Sequence, residues 1–174
     1  DHVRYVIDRS LHFAQTISNI NNNMVYTIAA YHDIGHHIDA KNHEKISSEI
    51  LFSDEFLRHF FSEKEILIMA EAVYDHRASL EYEPRSIYGK IVSSADRNTS
   101  LDIPLRRTYT YRMAHNSNDS LEKIIEDSRQ HLSNKYGKQG YAKEKMYFED
   151  LEYEIFLKEI GELVENQEEF YQRY

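Results

Sequence analysis

Apolar residues recur at helical spacing along nearly the whole chain, and this periodicity limits the possible folds more than any other feature. Only two Pro and five Gly interrupt the pattern. No segment shows the sustained alternation of apolar and polar residues that is typical of strands. A chain of 174 residues, 41% of them hydrophobic, can bury one sizeable core. We therefore predict an all-α fold with a single domain over residues 1–174.

The apolar stripes predict where the first helices lie. One helix carries apolar residues from Val3 to Ile20, and a second carries them from Val25 to His32. The second helix is apolar on most sides, so we expect it to lie at the centre of the fold. Gly35 is predicted to stop this second helix.

Capping residues predict the beginnings of further helices. Asn42 is expected to cap a third helix, and Ser62 forms a capping box with Glu65 before a fourth. Pro84 and Pro104 are each expected in the first turn of a later helix. A backbone N–H in that turn has no acceptor within the helix, so its absence in proline costs no hydrogen bond.

The C-terminal region is predicted to end in a long helix, from about Lys143 to the end of the chain. It follows a helix that is closed by Tyr136 and Gly137. Its apolar stripe from Phe156 to Phe170 is narrow, and its other faces are acidic. We expect this helix to be peripheral or to face a partner, so a homo-oligomer formed through it is one prediction.

Composition and charge exclude several functional classes. The chain has no Cys, which excludes disulfides, thiolate nucleophiles and thiolate metal ligands. A net charge of −9, without a cluster of Lys and Arg, argues against binding to nucleic-acid polymers. A small anionic substrate remains compatible, because a bound dication would dominate the local field. No apolar run approaches the roughly 20 residues of a membrane span. We expect no membrane partner and a cytoplasmic location.

The most informative local feature is a His-Asp doublet, His32 and Asp33, at the end of the apolar second helix. Burying an unpaired carboxylate there would be costly, so Asp33 needs a cation or several hydrogen bonds. A metal ion would satisfy both residues together. The alternative is a buried His that bonds to a neighbour and an Asp that acts as a cap.

The doublet is one of five segments that follow one another along the chain: His2, His32-Asp33-Ile34-Gly35, Asn42-His43-Glu44, Val73-Tyr74-Asp75-His76 and Ser93-Ser94-Ala95-Asp96-Arg97. In these segments, over residues 2 to about 101, the chain resembles the HD superfamily of metal-dependent phosphohydrolases. That family has a His on its first helix, a His-Asp doublet ending a buried helix, and a later Asp on another buried helix. The five segments of this chain agree with that pattern in order and spacing.

The resemblance implies an HD-domain-like helical bundle and a set of metal ligands. Residues 2–101 would be the motif-bearing core, and residues 102–174 a C-terminal helical extension. In a dinuclear site Asp33 would bridge to a second ion held by His43 and His76; in a mononuclear site those two histidines take no part. Imidazole-rich ligation suits Mn, Fe, Co, Ni or Zn better than Mg or Ca. We predict one or two such ions, and the implied ligands are His2, His32, Asp33, His43, His76 and Asp96.

The chemistry implied by the resemblance is attack on phosphorus by metal-activated water. Asp33 can orient that water. His36, which stands where several HD subfamilies carry an acidic residue, is predicted to protonate the leaving oxygen, whereas His37 is assigned to a solvated loop. Arg77 and Arg97 each follow a ligand directly and are predicted to bind substrate phosphate, with a structural salt bridge as the alternative for each.

These observations leave several functions open. The first is a phosphohydrolase that acts on a nucleotide or a related small phosphate. A nucleoside triphosphate pyrophosphohydrolase is the second. A metal-bearing regulator that binds a nucleotide without turnover, and a non-catalytic interaction protein that uses the acidic C-terminal helix, belong to different classes. Metal content and turnover of a phosphate panel distinguish them.

Overall fold

The computed structural model describes residues 2–143 and 146–174, and these residues form nine α-helices and two short 3-10 helices without a strand. The all-α prediction is therefore confirmed. The chain divides into two compact units, Asp1–Arg97 and Asn98–Tyr174. A single domain over both units stays a prediction. No helix within the described ranges combines the length and the hydropathy that a membrane span requires.

Five α-helices build the first unit around a central one. The second helix packs against the other four, and its Val25, Ile28 and Ala29 are fully buried, as its apolar faces predicted. A 3-10 helix, Glu55–His59, stands between the third and fourth. The five helices are α1 (His2–Ala14), α2 (Asn22–Tyr31), α3 (His43–Ser53), α4 (Glu63–Tyr74) and α5 (Ile87–Ala95).

The first helix is shorter than its apolar pattern predicted. It ends at Ala14 rather than near Ile20. Thr16 uses its hydroxyl to donate to the carbonyl of Phe13 at 2.8 Å, which favours a turn over a further helical turn. Asn19 then adopts the left-handed conformation, with φ of 61°, so the chain cannot continue as a helix.

The predicted caps have mixed outcomes. Ser62 and Glu65 form the capping box at the start of α4, as predicted. Asn42 occupies the N-cap position of α3, but its side chain donates to Asp39 instead of capping the helix. Pro84 lies before α5 rather than in its first turn, because Ser86 accepts from the N–H of Gly89 and sets the start of the helix at Ile87.

The second unit consists of four α-helices around its own apolar core. Pro104 lies in the first turn of the first of them, and Gly137 ends the second, both as predicted. A 3-10 helix, Tyr141–Lys143, follows. The four helices are α6 (Asp102–His115), α7 (Leu121–Tyr136), α8 (Leu151–Glu165) and α9 (Gln167–Tyr171).

The C-terminal helix differs from its prediction in its bounds, and a homo-oligomer formed through it stays a prediction. It begins at Leu151, where the Asp150 carboxylate accepts from the N–H of Tyr153, and not near Lys143. It breaks at Asn166, whose side chain caps α9. Glu144 and Lys145, which the prediction included, lie outside the described residues. The apolar stripe is buried within the second unit, so these side chains belong to a core: Phe156, Ile160, Leu163 and Phe170.

Candidate metal centre

The His-Asp doublet lies at the C-terminal end of α2, as its sequence predicted. His32 is fully buried there. Its Nδ1–H donates to the carbonyl of Ala29 at 2.7 Å, because a carbonyl can only accept. The neutral imidazole then carries its lone pair on Nε2, the nitrogen a metal ion would use.

The turn after the doublet lies very close to α3. The N–H of Gly35 donates to the hydroxyl of Ser47 at 2.9 Å. A Cβ atom on Gly35 would lie 2.8 Å from both the Cβ of Ile46 and the backbone N of Ser47. Gly35 is therefore needed for this close approach, which fixes the position of Asp33 two residues earlier.

We expect Gly35→Ala to lower the free energy of unfolding by about 1–3 kcal/mol, the usual cost of overpacking a close contact. The same change should weaken metal binding, because the turn that carries Asp33 must move away from α3. Urea unfolding and a metal titration measure the two effects. Stability and metal affinity equal to those of the unchanged protein would show that the contact of Gly35 with Ile46 is not restrictive.

Four predicted ligands converge in what we term the first cluster: His2, His32, Asp33 and Asp96. The Nε2 atom of His2 lies 3.1 Å from Asp96 Oδ1, 3.7 Å from Asp33 Oδ2 and 3.4 Å from His32 Nε2. His32 Nε2 lies 3.7 Å from Asp33 Oδ2. Atoms that each lie about 2.0–2.2 Å from one ion are spaced about 3–3.5 Å apart, so these distances are near those of a coordination site.

The second cluster consists of Asp33, His43 and His76. His43 Nε2 lies 3.2 Å from Asp33 Oδ1 and 3.2 Å from His76 Nε2. His76 Nε2 lies 3.7 Å from the same carboxylate oxygen. Each of the two clusters contains three groups that could hold a metal ion together. Because Oδ2 of Asp33 faces the first cluster and Oδ1 faces the second, this carboxylate lies between them.

The histidines of the second cluster are oriented for a cation. His76 Nδ1–H donates to the carbonyl of Val73 at 2.6 Å, and His43 Nδ1–H donates to that of Ala40 at 3.0 Å. In the neutral tautomers both Nε2 atoms then present lone pairs, across a distance of 3.2 Å. Two lone pairs and a carboxylate oxygen repel one another unless a proton or a metal cation lies among them. The donor set therefore fits a metal ion.

The protonation states of the buried groups agree with this role. Burial lowers the pKa of His76, which favours its neutral, metal-binding form. Burial would raise the pKa of Asp96, but the hydrogen bond from His2 and the nearby histidines outweigh it, so this pKa lies below its ordinary value. At neutral pH Asp96 is therefore a carboxylate and His76 is neutral.

A buried carboxylate beside His76 anchors the end of α4, and its role was not apparent from the sequence. Asp75 is fully buried. It accepts from Arg85 Nε at 2.9 Å and Nη2 at 2.8 Å, and from the hydroxyl of Tyr82 at 3.2 Å. These bonds connect the loop after His76 to the end of the helix. The sequence did contain one indication of this role, since Asp75 is an acidic residue directly before the predicted ligand His76.

The remaining predicted site residues lie around the clusters. His36 and His37 are both exposed, and the ring of His36 lies 5.3 Å from that of His43 between centroids. Arg77 is half-buried and donates to Glu44. Arg97 is buried, and its Nη2 donates to the hydroxyl of Ser93 at 3.4 Å. The catalytic role of His36 and substrate binding by the two arginines stay predictions.

These observations define a class of protein: a chain that is all-helical in its described residues, with a buried His32 and a half-buried Asp33 between two potential metal sites. The family model described as HD domain matches residues 1–100. This is more than half of the chain, which therefore belongs to the HD-domain family of metal-dependent phosphohydrolases. No curated protein and no solved structure matches the chain.

If both clusters bind metal, His43→Ala should lower the stoichiometry from about two ions to about one. The half-buried ring of His43 contributes only to the second cluster, so the first should keep its ion and the fold should survive. His76→Ala should have the same effect on metal number, with a larger loss of stability because its ring is fully buried. Metal analysis after dialysis measures the stoichiometry. One ion in the unchanged protein and in both variants would favour the mononuclear form, and two ions in both variants would contradict the second cluster.

Proposed function

We propose that this protein hydrolyses a nucleotide or a related small phosphate, with one or two transition-metal ions bound at the clusters. The observation that carries the proposal is the facing pair of Nε2 atoms of His43 and His76 beside Asp33 Oδ1. Their Nδ1 atoms are occupied by backbone carbonyls, so this arrangement is organised for a cation. Membership of the HD-domain family supports hydrolysis as the reaction.

The donor set favours Mn, Fe, Co, Ni or Zn, because imidazole nitrogen supplies most of the ligands. The first cluster would hold one ion and the second cluster another, with one oxygen of Asp33 directed to each. When bound, such an ion lowers the pKa of water and withdraws charge from a phosphoryl oxygen.

The side chains supply orientation and proton transfer. The Asp33 carboxylate, between the two clusters, can accept a hydrogen bond from the attacking water and orient it. His36 lies at the exposed edge beside His43 and can donate a proton to the leaving oxygen. Arg97, which directly follows Asp96, is proposed for substrate phosphate, whereas Arg77 already donates to Glu44 and to the carbonyl of Lys41.

A panel of nucleotides assayed with Mn for released phosphate and pyrophosphate tests the proposal. Metal-dependent release of phosphate, absent in Asp33→Ala and in chelator, is the expected result. Release of pyrophosphate from nucleoside triphosphates would instead favour a pyrophosphohydrolase. Metal-dependent nucleotide binding without turnover would indicate a regulator. If the protein binds no metal, the proposal is wrong, and a non-catalytic interaction protein is the function that remains.

A further inference from the structure

Each histidine of the second cluster is followed by a charged residue, and these two charged residues form an ion pair. Glu44 follows His43, and Arg77 follows His76. Arg77 Nη1 donates to Glu44 Oε2 at 3.1 Å. The same nitrogen donates to the backbone carbonyl of Lys41 at 2.9 Å. One guanidinium group therefore contacts the chain on both sides of His43.

The ion pair connects two helix ends that carry metal ligands. His43 is the first residue of α3, and His76 lies just beyond the last residue of α4. The side chains of Glu44 and Arg77 are 18% and 35% exposed, so water screens the pair less than a fully exposed one. The ion pair of Arg77 with Glu44 is relevant to the second cluster because it lies between the two segments that carry His43 and His76.

Apart from Nε2, which faces Asp33 and His76, the ring of His43 makes its polar contacts within its own segment, and its Nδ1 lies 3.7 Å from Glu44 Oε2. Its Nδ1–H donates to Ala40, which belongs to the same segment, so this bond orients the ring within its own segment. The body of α3 is attached to α4 further along, where the Ser48 hydroxyl donates to the carbonyl of Ala70 at 2.7 Å. At the first turn of α3, the contacts of Arg77 join the His43 segment to the His76 segment.

His76, by contrast, is held firmly on its own side. Its ring is fully buried and bonded to the carbonyl of Val73. Asp75, directly before it, is anchored by Arg85. Arg77 directly follows His76 in this anchored segment and can therefore set the position of the first turn of α3.

We propose that the ion pair of Arg77 with Glu44 positions His43 against His76 and so sets the affinity of the second metal site. This inference rests on the proposed metal-dependent function. It gives Arg77 a positioning role in place of direct contact with substrate phosphate. Loss of the pair would let the first turn of α3 move and would widen the 3.2 Å spacing of the two Nε2 atoms.

Calorimetric titration with Mn tests the proposal on the full chain. Arg77→Ala and Glu44→Gln should each weaken the second binding event by about 10–100-fold, the usual effect of removing a partner that supports a metal ligand. The first event should keep its affinity. Arg77→Lys should retain part of the affinity, because one ammonium can reach one of the two acceptors.

Arg58→Ala is the matched control. Arg58 also joins a glutamate, Glu63, to a backbone carbonyl, that of Phe52, in the same unit. It has no metal ligand beside it, so both binding events should keep their affinities. This control separates a general loss of an arginine contact from a loss at the second cluster.

The outcomes distinguish this inference from the function on which it rests. Arg77→Ala could bind both ions with the same affinities as the unchanged protein and differ only in a raised KM for the phosphate substrate. That result would make Arg77 a phosphate ligand and overturn the positioning role. Equal weakening of both events, with a lowered Tm, would also overturn it. The absence of any bound ion in the unchanged protein would contradict the metal centre itself.

Discussion

Replacing Asp33 by alanine is expected to remove metal from both clusters and to lower phosphate release by more than about 100-fold. Removing a residue that only supports a metal ligand already lowers metal affinity or activity by about 10–100-fold. Asp33 is itself positioned as a ligand, with Oδ2 at 3.7 Å from His32 Nε2 and Oδ1 at 3.2 Å from His43 Nε2. Its removal takes an oxygen from each cluster at once. Metal analysis and a phosphate assay, made on the same preparation, measure both losses.

Asp8→Ala is the control for this substitution. Asp8 is an exposed carboxylate on α1, in the same unit, and its removal changes the net charge by the same amount. Metal content and turnover should stay unchanged in this variant. Full metal occupancy in Asp33→Ala would contradict the site assignment, whereas loss of one of two ions would show that Asp33 does not bridge them.

His36→Gln should lower the turnover of nucleoside monophosphates by about 10²–10⁴-fold, the usual contribution of general acid catalysis. These substrates have poor leaving groups that need a proton. The leaving group of p-nitrophenyl phosphate barely needs one, so its turnover should change far less. Metal content should stay the same, because the ring of His36 lies beside His43 rather than among the Nε2 atoms of the clusters.

His37→Gln is the matched control, since His37 is the adjacent exposed histidine. It should leave the turnover of both substrates unchanged. Equal losses on both substrates in His36→Gln would indicate binding or structure rather than proton donation. Loss of metal in the same variant would make His36 a ligand.

The helices of this chain could be predicted where local signals agree with packing. The central position of α2 follows from its apolar faces, and the capping box of Ser62 and Glu65 determines one helix start. The predicted bounds were wrong where polar side chains bond to nearby backbone. Thr16 helps to end α1, and Asn166 divides the C-terminal helical region, although the apolar periodicity continues past both residues.

The clusters could be predicted only as a set of residue types in a given order. The convergence of His2, His43 and Asp96 on the doublet depends on the packing of four different helices, which no local pattern specifies. The resemblance to the HD superfamily supplied that information, and the distances followed from the structure.

The contacts that support the clusters were the least predictable part. The bond from Gly35 to Ser47 and the ion pair of Arg77 with Glu44 join residues far apart in the chain. Their residue types are common on any surface, so the sequence alone does not distinguish a supporting contact from a solvated charge. A regular feature is visible in retrospect: the Nδ1 atoms of His32 and His76 each bond to the carbonyl three residues earlier.

Anomalous diffraction from crystals grown with Mn tests the metal centre most directly. We expect two anomalous peaks, one on each side of the Asp33 carboxylate, with the first near His2 and His32 and the second near His43 and His76. A single peak at the first cluster would restrict the centre to one ion. The absence of any peak at these residues, in crystals that contain Mn at saturating concentration, would contradict a metal centre at the two clusters.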